Sequence, residues 1–271
     1  MNLKPLKLLL IILSGLTSQS IHAKVDPIVT PIDRARYKVV YNFNFIEDTI
    51  RHKIKNTSAT LLIGDSVTVY ADTHLLNSDS IRFDYALRGQ ELNPMALAGA
   101  STGCKFTSYH YYGYPEHDVV TVRRTLVDNS CYSESIPKVD WVETGVTKEI
   151  HGLNCKQALC DFRGRDYVAY YSPDIPLSAG PHLFGGLPGL IMELQDSKGE
   201  YMWNLILFEP CDYEHIITIN LKKLKSTTRD LFREIEYKVS LDPGLQFKGI
   251  LDFSKNKKSW KPWPYNPIEK F

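Results

Sequence analysis

Several hallmarks of common enzyme and membrane protein classes are missing from this sequence. The apolar run near the start is too short for a membrane span, which needs roughly 20 residues, and no second long apolar segment follows it. The chain has no Walker loop, no H-E-x-x-H and no C-x-x-C, so nucleotide hydrolysis, zincin and thioredoxin-like roles lose their main support. No repeat, metal site or cofactor is predicted.

An excess of charge is missing as well. The 32 lysines and arginines nearly balance the 31 aspartates and glutamates. A near-neutral chain has no net positive field to hold a polyanion, so nucleic acid is not a predicted partner. Hydrophobic residues make up 43% of the chain, which is enough to build a core without covalent cross-links.

The N-terminal segment has the pattern of an export signal. Two lysines give a positive start, Leu8 to Leu13 form a short apolar core, and Ala23 is a small residue suited to cleavage. We therefore expect a signal peptide over residues 1–23 and export to the periplasm or cell envelope. Residues 24–271 are expected to form a single β-rich domain without a transmembrane span.

The five cysteines all follow that segment. In an oxidising compartment they allow at most two internal disulfides and one remaining thiol. Spacing alone does not determine the pairing. The hypothesis is a Cys104–Cys131 bond that closes the ends of a predicted hairpin, a Cys160–Cys211 bond, and Cys155 as a buried thiol.

Alternation of apolar and polar residues predicts β-strands along most of the chain. Arg36–Phe45 alternates clearly, and Ala59–Tyr70 is typical of two short strands around a Gly-Asp turn. Short turns between strands favour antiparallel pairing, so one curved antiparallel sheet is the simplest assembly. The other predicted strands are Lys105–Tyr112, Asp118–Val127, Trp141–Leu153, Lys156–Phe162, Tyr167–Ser172, Leu190–Gln195, Tyr201–Phe208 and Ile216–Leu221.

One helix is predicted after Thr227, which caps it with Asp230 in the capping-box position. A second, weaker helical segment is predicted within residues 74–98, and the tail after Ser254 is expected to lie on the surface as irregular chain. The predicted helix has an apolar face of Leu231, Phe232, Ile235 and Val239, and a water-facing side of Arg229, Arg233, Glu234 and Lys238.

A loop rich in proline and glycine covers residues 173–191. Proline fixes the backbone and glycine permits unusual turns, so together they specify one winding path. Its large apolar residues are too hydrophobic to remain in water, and they favour a plug at one end of the sheet over a ligand gate. The centre of the motif is Pro181, Gly186, Leu187, Pro188, Gly189, Leu190 and Ile191.

On these residues the chain resembles the GLPGLI family of exported proteins, known mainly from the Bacteroidetes. The signature is complete at residues 186–191. Related features are Trp141, Phe162–Arg165, the Ala169–Pro176 run and the Tyr-Asn-Pro-Ile-Glu ending at 265–269. Two departures are His182, where an aromatic residue is common, and the four cysteines of the predicted disulfides.

The resemblance implies a secreted, mainly β fold with one or two helices, in which a curved antiparallel sheet forms a bowl or half-barrel. It implies no catalytic residue. It associates the chain with the cell envelope, as an accessory to an outer-membrane receptor. The favoured interpretation is a non-enzymatic protein that binds an apolar or peptide ligand or docks such a receptor.

Two groups of residues are candidates for ligand binding. The first lies on the predicted hairpin and consists of Tyr109, His110, Tyr112, His117 and Asp118, whose rings and imidazoles suit stacking or hydrogen bonding. Against it, tyrosine is common in strands and exposed histidines are usually only solvated.

The second candidate group is Arg163 and Arg165, which flank a tight turn and could clamp a carboxylate through two hydrogen bonds. Paired charges at a hairpin tip more often serve solubility. The alternative function is a secreted hydrolase with an unrecognised site near Ser101, His110 or His117. Ser101 lies in a G-x-S-x-G match, but the strand and helix that such an elbow needs are not predicted around it.

Overall fold

A computed structural model describes residues 29–124, 129–211, 215–220, 224–242, 244–245, 262 and 264–270. The predicted signal peptide, residues 1–23, lies outside these described residues, and so does most of the tail after Ser254.

The described residues form thirteen strands and three helices. In chain order these are β1 (Thr30–Asp48), β2 (Lys53–Gly64), β3 (Thr68–Asp72), α1 (Thr73–Leu87), α2 (Pro94–Ser101), β4 (Ser108–Tyr112), β5 (Val119–Arg124), β6 (Ser130–Ser135), β7 (Val142–Ile150), β8 (Leu153–Phe162), β9 (Arg165–Ser172), β10 (Leu190–Asp196), β11 (Tyr201–Pro210), β12 (Ile216–Ile219), β13 (Lys225–Ser226) and α3 (Arg229–Leu241).

The strands form one open sheet that is mainly antiparallel. Their order is β13-β6-β5-β4-β3-β2-β1-β11-β10-β9-β8-β7, and β12 pairs separately with the start of β1. Among the described strands, only β13 runs parallel to its neighbour, β6. The prediction of a mainly β fold built on one antiparallel sheet with helices is confirmed.

The sheet is strongly curved, because strands at opposite ends of its order meet across its inner face. Arg163, in the β8–β9 turn, donates two hydrogen bonds of 3.0 Å to the carboxylate of Glu134 on β6. A single hydrophobic core fills the inner face between these ends and contains Val122 of β5, Ala158 of β8 and Trp203 of β11. The curvature therefore turns one side of the sheet into a bowl.

A smaller core lies on the other face of the sheet. Tyr109 and Tyr111 of β4 belong to it together with Leu75 of α1, whereas His110, between them in sequence, faces the bowl. This division follows from strand geometry, in which successive side chains point to opposite faces. Helix α1 packs against β2, β3 and β12 on this outer side.

Helix α3 lies over the inner face, and three details of its sequence prediction are corrected by the structure. Thr228, rather than Thr227, is the N-cap, and its side chain accepts a hydrogen bond from the backbone N–H of Leu231. Phe232 and Val239 are buried as predicted, while Leu231 is half exposed to solvent. Arg229 and Arg233 were expected to face water, but both contact a buried carboxylate that is described below.

The proline-rich loop is packed against the inner core. Leu183, Phe184 and Leu187 are each no more than 3% exposed. Trp141 donates its indole N–H to the backbone oxygen of Gly185 at 2.8 Å, and the Tyr112 hydroxyl donates to the backbone oxygen of His182. These contacts fix the path of the loop, and they bring His182 to the wall of the bowl.

Gly189 allows this loop to approach the end of β9. A Cβ atom at position 189 would lie 2.1 Å from the backbone oxygen of Ser172, which is too close for any side chain. We expect Gly189→Ala to lower the free energy of unfolding by about 2–3 kcal/mol, because relieving the overlap requires a backbone shift. Urea-induced unfolding measures this loss.

Gly185→Ala is the matched control, because a Cβ atom there would meet only the Ser178 oxygen at an ordinary 3.4 Å. A loss of less than about 1 kcal/mol is expected for this variant. Equal losses in the two variants would contradict the close approach at Gly189.

No disulfide joins the five cysteines, all of which lie in the described part of the chain. Cys160 belongs to the inner core, whereas Cys211 packs against the smaller core on the other face, so the sheet separates them. Cys104 donates its thiol to the Phe106 oxygen at 3.0 Å, and Cys131 lies on β6 opposite Arg123. Neither predicted pair, Cys104–Cys131 or Cys160–Cys211, is formed.

None of the described helices combines the length and the apolar character that crossing a bilayer requires.

Candidate ligand-binding site

The bowl contains a cavity of about 560 Å³. Strands β1, β3, β4, β5, β6 and β11 contribute residues to its floor. Strand β2 and the segment that precedes β4 contribute residues to its rim, and His182, α3 and residues 265–269 complete the lining. A concave site of this volume is in the range of small-molecule pockets, which are about 300–1,000 Å³.

Four nearly parallel aromatic rings lie at the floor, and three of them, Phe43, Phe45 and Tyr201, line the cavity. Phe43 lies opposite Trp203, and Phe45 lies opposite Tyr201, in the pairing of β1 with β11. The Phe43 and Trp203 rings are 4.5 Å apart and tilted by 6°, and the Phe45 and Tyr201 rings are 6.3 Å apart and tilted by 2°. Residues two apart on a strand share a face, so alternation along β1 and β11 builds this stack.

The stack ends in a ring that a ligand can reach. Trp203 is fully buried and Tyr201 nearly so, but Phe45 is only half-buried and lines the cavity. Phe106, in the segment before β4, also lines the cavity, and its ring stacks on that of Tyr70 with the centroids 5.8 Å apart. The aromatic part of the site is therefore a platform flanked by a second ring, which suits a flat or apolar group.

Two histidines lie beside this platform. His110 comes from β4 and His182 from the proline-rich loop, and their ring centroids are 4.5 Å apart. His110 is 3% exposed and His182 is 7% exposed. Burial lowers the pKa of His182 to about 4 and that of His110 well below its usual range, because a charged imidazole loses its hydration there. Both rings are therefore neutral at pH 7.

Neither histidine has its hydrogen bonds satisfied. The Nδ1 atoms of His110 and His182 are buried and have no hydrogen-bond partner in the described part of the chain. Leaving a buried polar atom unpaired costs about 1–3 kcal/mol, so an apolar side chain of similar size would make the free protein more stable at these positions. Unpaired buried groups are uncommon in native proteins, and a group of this kind in the wall of a cavity calls for an explanation.

A buried carboxylate closes the end of the site behind the histidines. Glu269 accepts hydrogen bonds from Arg163, from Arg229 at 2.6 Å and from Arg233 at 3.4 Å, and its Oε1 lies 3.8 Å from His182 Nε2. Burial alone would raise the pKa of Glu269, but His182 and the guanidinium groups outweigh it and lower the pKa to about 2.

Glu269 belongs to a C-terminal segment, residues 264–270, that is firmly held in the bowl. The Tyr167 hydroxyl donates to the Ile268 oxygen at 3.0 Å, and Arg165 Nε donates to the Pro267 oxygen at 2.9 Å. The Asn266 side chain donates to the Ile46 oxygen at 2.9 Å. This part of the tail is irregular, as predicted, but it forms a wall of the cavity instead of lying on the outer surface.

The hairpin residues selected from the sequence are divided between different environments. His110 lines the cavity, and Tyr112 fixes the loop next to it. Tyr109 points to the other face and donates its hydroxyl to Asp79 at 2.9 Å. His117 and Asp118 are almost fully exposed in the β4–β5 turn, where their side chains contact each other at 3.0 Å.

Arg163 and Arg165 do clamp carboxylates, but those carboxylates belong to the chain itself. Arg163 holds Glu134 and Glu269, and Arg165 Nη1 donates to Asp196 at 2.8 Å and to Glu200 at 2.7 Å. Both guanidinium groups are thus engaged in fixing the bowl and the C-terminal segment.

The residues considered for a hydrolase are not brought together. Ser101 ends helix α2, where its hydroxyl donates to the backbone oxygens of Leu97 and Ala98. A nucleophile elbow requires a strand before the serine and a helix after it, and here the helix precedes it. Within the described ranges, no three His, Cys, Asp or Glu side chains are grouped so that they could hold a metal ion.

Comparison with known proteins adds a family match over part of the chain and a likeness of fold. Residues 162–193, from the end of β8 into β10, match the profile of a family described as a protein of unknown function (Porph_ging). This stretch contains the proline-rich loop. No curated protein sequence matches the chain.

Two solved structures of PNGF-II, in space groups P21 and C2, are similar to this chain. Their TM-scores are 0.50 and 0.49, their sequences are 13% and 14% identical, and the superpositions cover 74% of this chain. The chain spans about a third of the length of the PNGF-II chains, 33% and 32%. At 13% identity, the likeness to the first of them shows a related β-rich fold alone.

Proposed function

We propose that this protein is an exported cell-envelope protein of the GLPGLI family that binds a small, partly apolar ligand in the bowl. The observation that carries the proposal is the pair of buried, neutral histidines with unpaired ring nitrogens beside an aromatic platform in a cavity of about 560 Å³. An apolar platform with a few polar groups beside it is the usual composition of a ligand site.

The energetic cost of the histidines supports binding over a purely structural role. A chain that needed only a packed core would be more stable with apolar side chains at positions 110 and 182. Groups that weaken the free protein are expected where they serve a ligand, because binding sites trade stability for function. Helix α3 and residues 264–270 wall the cavity, and hydrogen bonds from Arg165 and Tyr167 hold the latter segment in place.

Family membership and export rest on the sequence. The Gly-Leu-Pro-Gly-Leu-Ile motif at 186–191 lies inside the stretch that matches the Porph_ging profile, which supports a relation to GLPGLI proteins. The N-terminal signal pattern supports export to the periplasm or envelope. A docking role at an outer-membrane receptor is compatible with a ligand in the bowl.

Binding of a neutral fluorescent probe tests the proposal. N-phenylnaphthylamine is uncharged and fluoresces when it enters an apolar site. We expect one saturable site per protein, because the bowl holds one accessible aromatic platform. Phe45→Ala should weaken binding about tenfold or more, since it removes the ring that a ligand reaches first.

Phe208→Ala is the matched control. Phe208 is also a half-buried ring on the β1–β11 pair, stacked on Tyr37 at 5.6 Å, but it does not line the cavity. Its replacement should leave the probe affinity within about twofold of the original. Absence of saturable binding, or equal weakening by both substitutions, would count against a ligand site in the bowl.

A further inference from the structure

The cavity has a positively charged rim, which carries information about the ligand. Lys53 and Lys55 of β2 stand on one side and Lys105 stands in the segment before β4. Lys55 pairs with Glu47, and its ammonium group lies 5.8 Å from the centre of the Phe45 ring. A cation is thus held directly beside the accessible end of the aromatic platform.

The positive charges on this rim outnumber the negative ones. Lys53 and Lys55 share one carboxylate, Glu47, which is 3.7 Å from the Lys53 ammonium. Lys105 is exposed, and no carboxylate in the described part of the chain forms an ion pair with its ammonium group. Its backbone N–H is fixed by a hydrogen bond of 2.9 Å to Asp72. The rim therefore keeps about two uncompensated positive charges.

The inner end of the cavity has no such excess. Of the charged side chains that line it, Arg233 pairs with Glu269 and Arg124 pairs with Glu236, and both histidines are neutral at pH 7. Glu236 of α3 lies 3.5 Å from Arg124. The floor of the cavity is therefore apolar and carries no net charge, whereas the rim carries a net positive charge.

We infer that the ligand is an organic anion with a hydrophobic ring system, whose ring lies on the Phe45 platform and whose acidic group contacts the lysine rim. The inference rests on the proposed binding function and further specifies that the ligand is negatively charged. A ring on the floor places an attached carboxylate, sulfonate or phosphate near the lysine ammonium groups, and hydrogen bonds to charged groups are the stronger ones.

Two probes that differ by one acidic group test this inference. Anilinonaphthalene sulfonate has the ring system of N-phenylnaphthylamine plus a sulfonate. We expect the sulfonate probe to bind about tenfold more tightly, and we expect sodium chloride at about 0.5 M to remove most of that advantage, because salt screens exposed charges. The affinity of the neutral probe should change little.

A double variant, Lys53→Gln with Lys105→Gln, measures how much the rim lysines contribute to binding of the sulfonate probe. It removes the two lysines while the Lys55–Glu47 pair and the Phe45 contact remain. The sulfonate probe should lose about tenfold in affinity, and the neutral probe should stay within about twofold. Lys138→Gln is the matched control, because Lys138 is 88% exposed, pairs with Asp140 and does not line the cavity.

The possible failures are distinguishable. Equal affinity for both probes, or a double variant that binds the sulfonate probe unchanged, overturns the anionic ligand and leaves the site itself standing. Sulfonate binding that survives Phe45→Ala also overturns it, since the probe then lies elsewhere. If neither probe binds in a saturable way, the proposed function fails together with the inference.

Discussion

Replacing Glu269 with Gln is expected to lower the free energy of unfolding by about 3–5 kcal/mol, the usual cost of removing one partner from a buried ion cluster. The substitution keeps the shape of the side chain and removes its charge. Arg163, Arg229 and Arg233 then share a neutral amide in a site where Glu269 is only 7% exposed. Urea-induced unfolding monitored by circular dichroism measures the difference.

The matched control for this prediction is Glu234→Gln on helix α3. Glu234 is also paired, 2.6 Å from Lys238, but about half of its side chain is exposed. Exposed pairs of this spacing contribute about 0.3–0.5 kcal/mol. If the two substitutions cost the same, Glu269 is not the centre of a buried cluster and the fixed position of the C-terminal segment loses its main support.

The second large effect is loss of stability in mild acid. In the unfolded chain a histidine has a pKa of about 6.5, whereas burial lowers the pKa of His182 to about 4. Below pH 6.5 the unfolded state therefore binds more protons than the folded state, and acidification favours unfolding. Between pH 7 and pH 4 we expect His182 to remove about 3 kcal/mol from the free energy of unfolding.

His110 acts in the same direction, because burial lowers its pKa as well. Glu269 contributes in a lower window: its depressed pKa gives stability that is complete above about pH 4.5 and disappears as the pH falls through about 2. Burial raises the pKa of Asp79 and that of Glu236, which opposes this loss of stability in acid, so the histidine contribution has to be read from substitutions.

Substitutions separate this effect from general acid denaturation. His182→Asn removes one titrating ring, and asparagine tolerates the φ of +53° at that position. His110→Leu removes the other titrating ring, on β4. Each should flatten the dependence of stability on pH. His117→Asn should not, because His117 is 91% exposed. A native protein that is equally stable at pH 7 and pH 4 would refute the prediction.

Much of the fold was predictable because strand signals are local. The alternation of Tyr41, Phe43 and Phe45 is visible in the sequence, and it gives the inner face of β1. Turns such as Asp196–Gly199 mark hairpins that the structure contains. Boundaries were less accurate, as at the α3 cap, because Thr227 and Thr228 are equally good capping residues and only the backbone conformation distinguishes them.

The site was predictable only in part. His110 was selected as a hairpin residue, but its partner was not, because His182 is 72 positions further along the chain and drew notice only as an unusual residue in its motif. Glu269 carried no signal beyond the family ending. The disulfide hypothesis failed for a related reason, since cysteine spacing contains no information about which face of the sheet each thiol occupies.

Local sequence patterns account for the β-rich class, the packing of the proline-rich loop and the faces of individual strands, because these depend on side-chain periodicity and on the backbone preferences of proline and glycine. Which faces meet is a property of the folded chain as a whole. Curvature of the sheet brings β4, the loop and the last residues of the chain to one cavity, and the burial that results makes two histidines neutral and binds Glu269 to three arginines. Such long-range contacts depend on the global path of the chain, which no local pattern records.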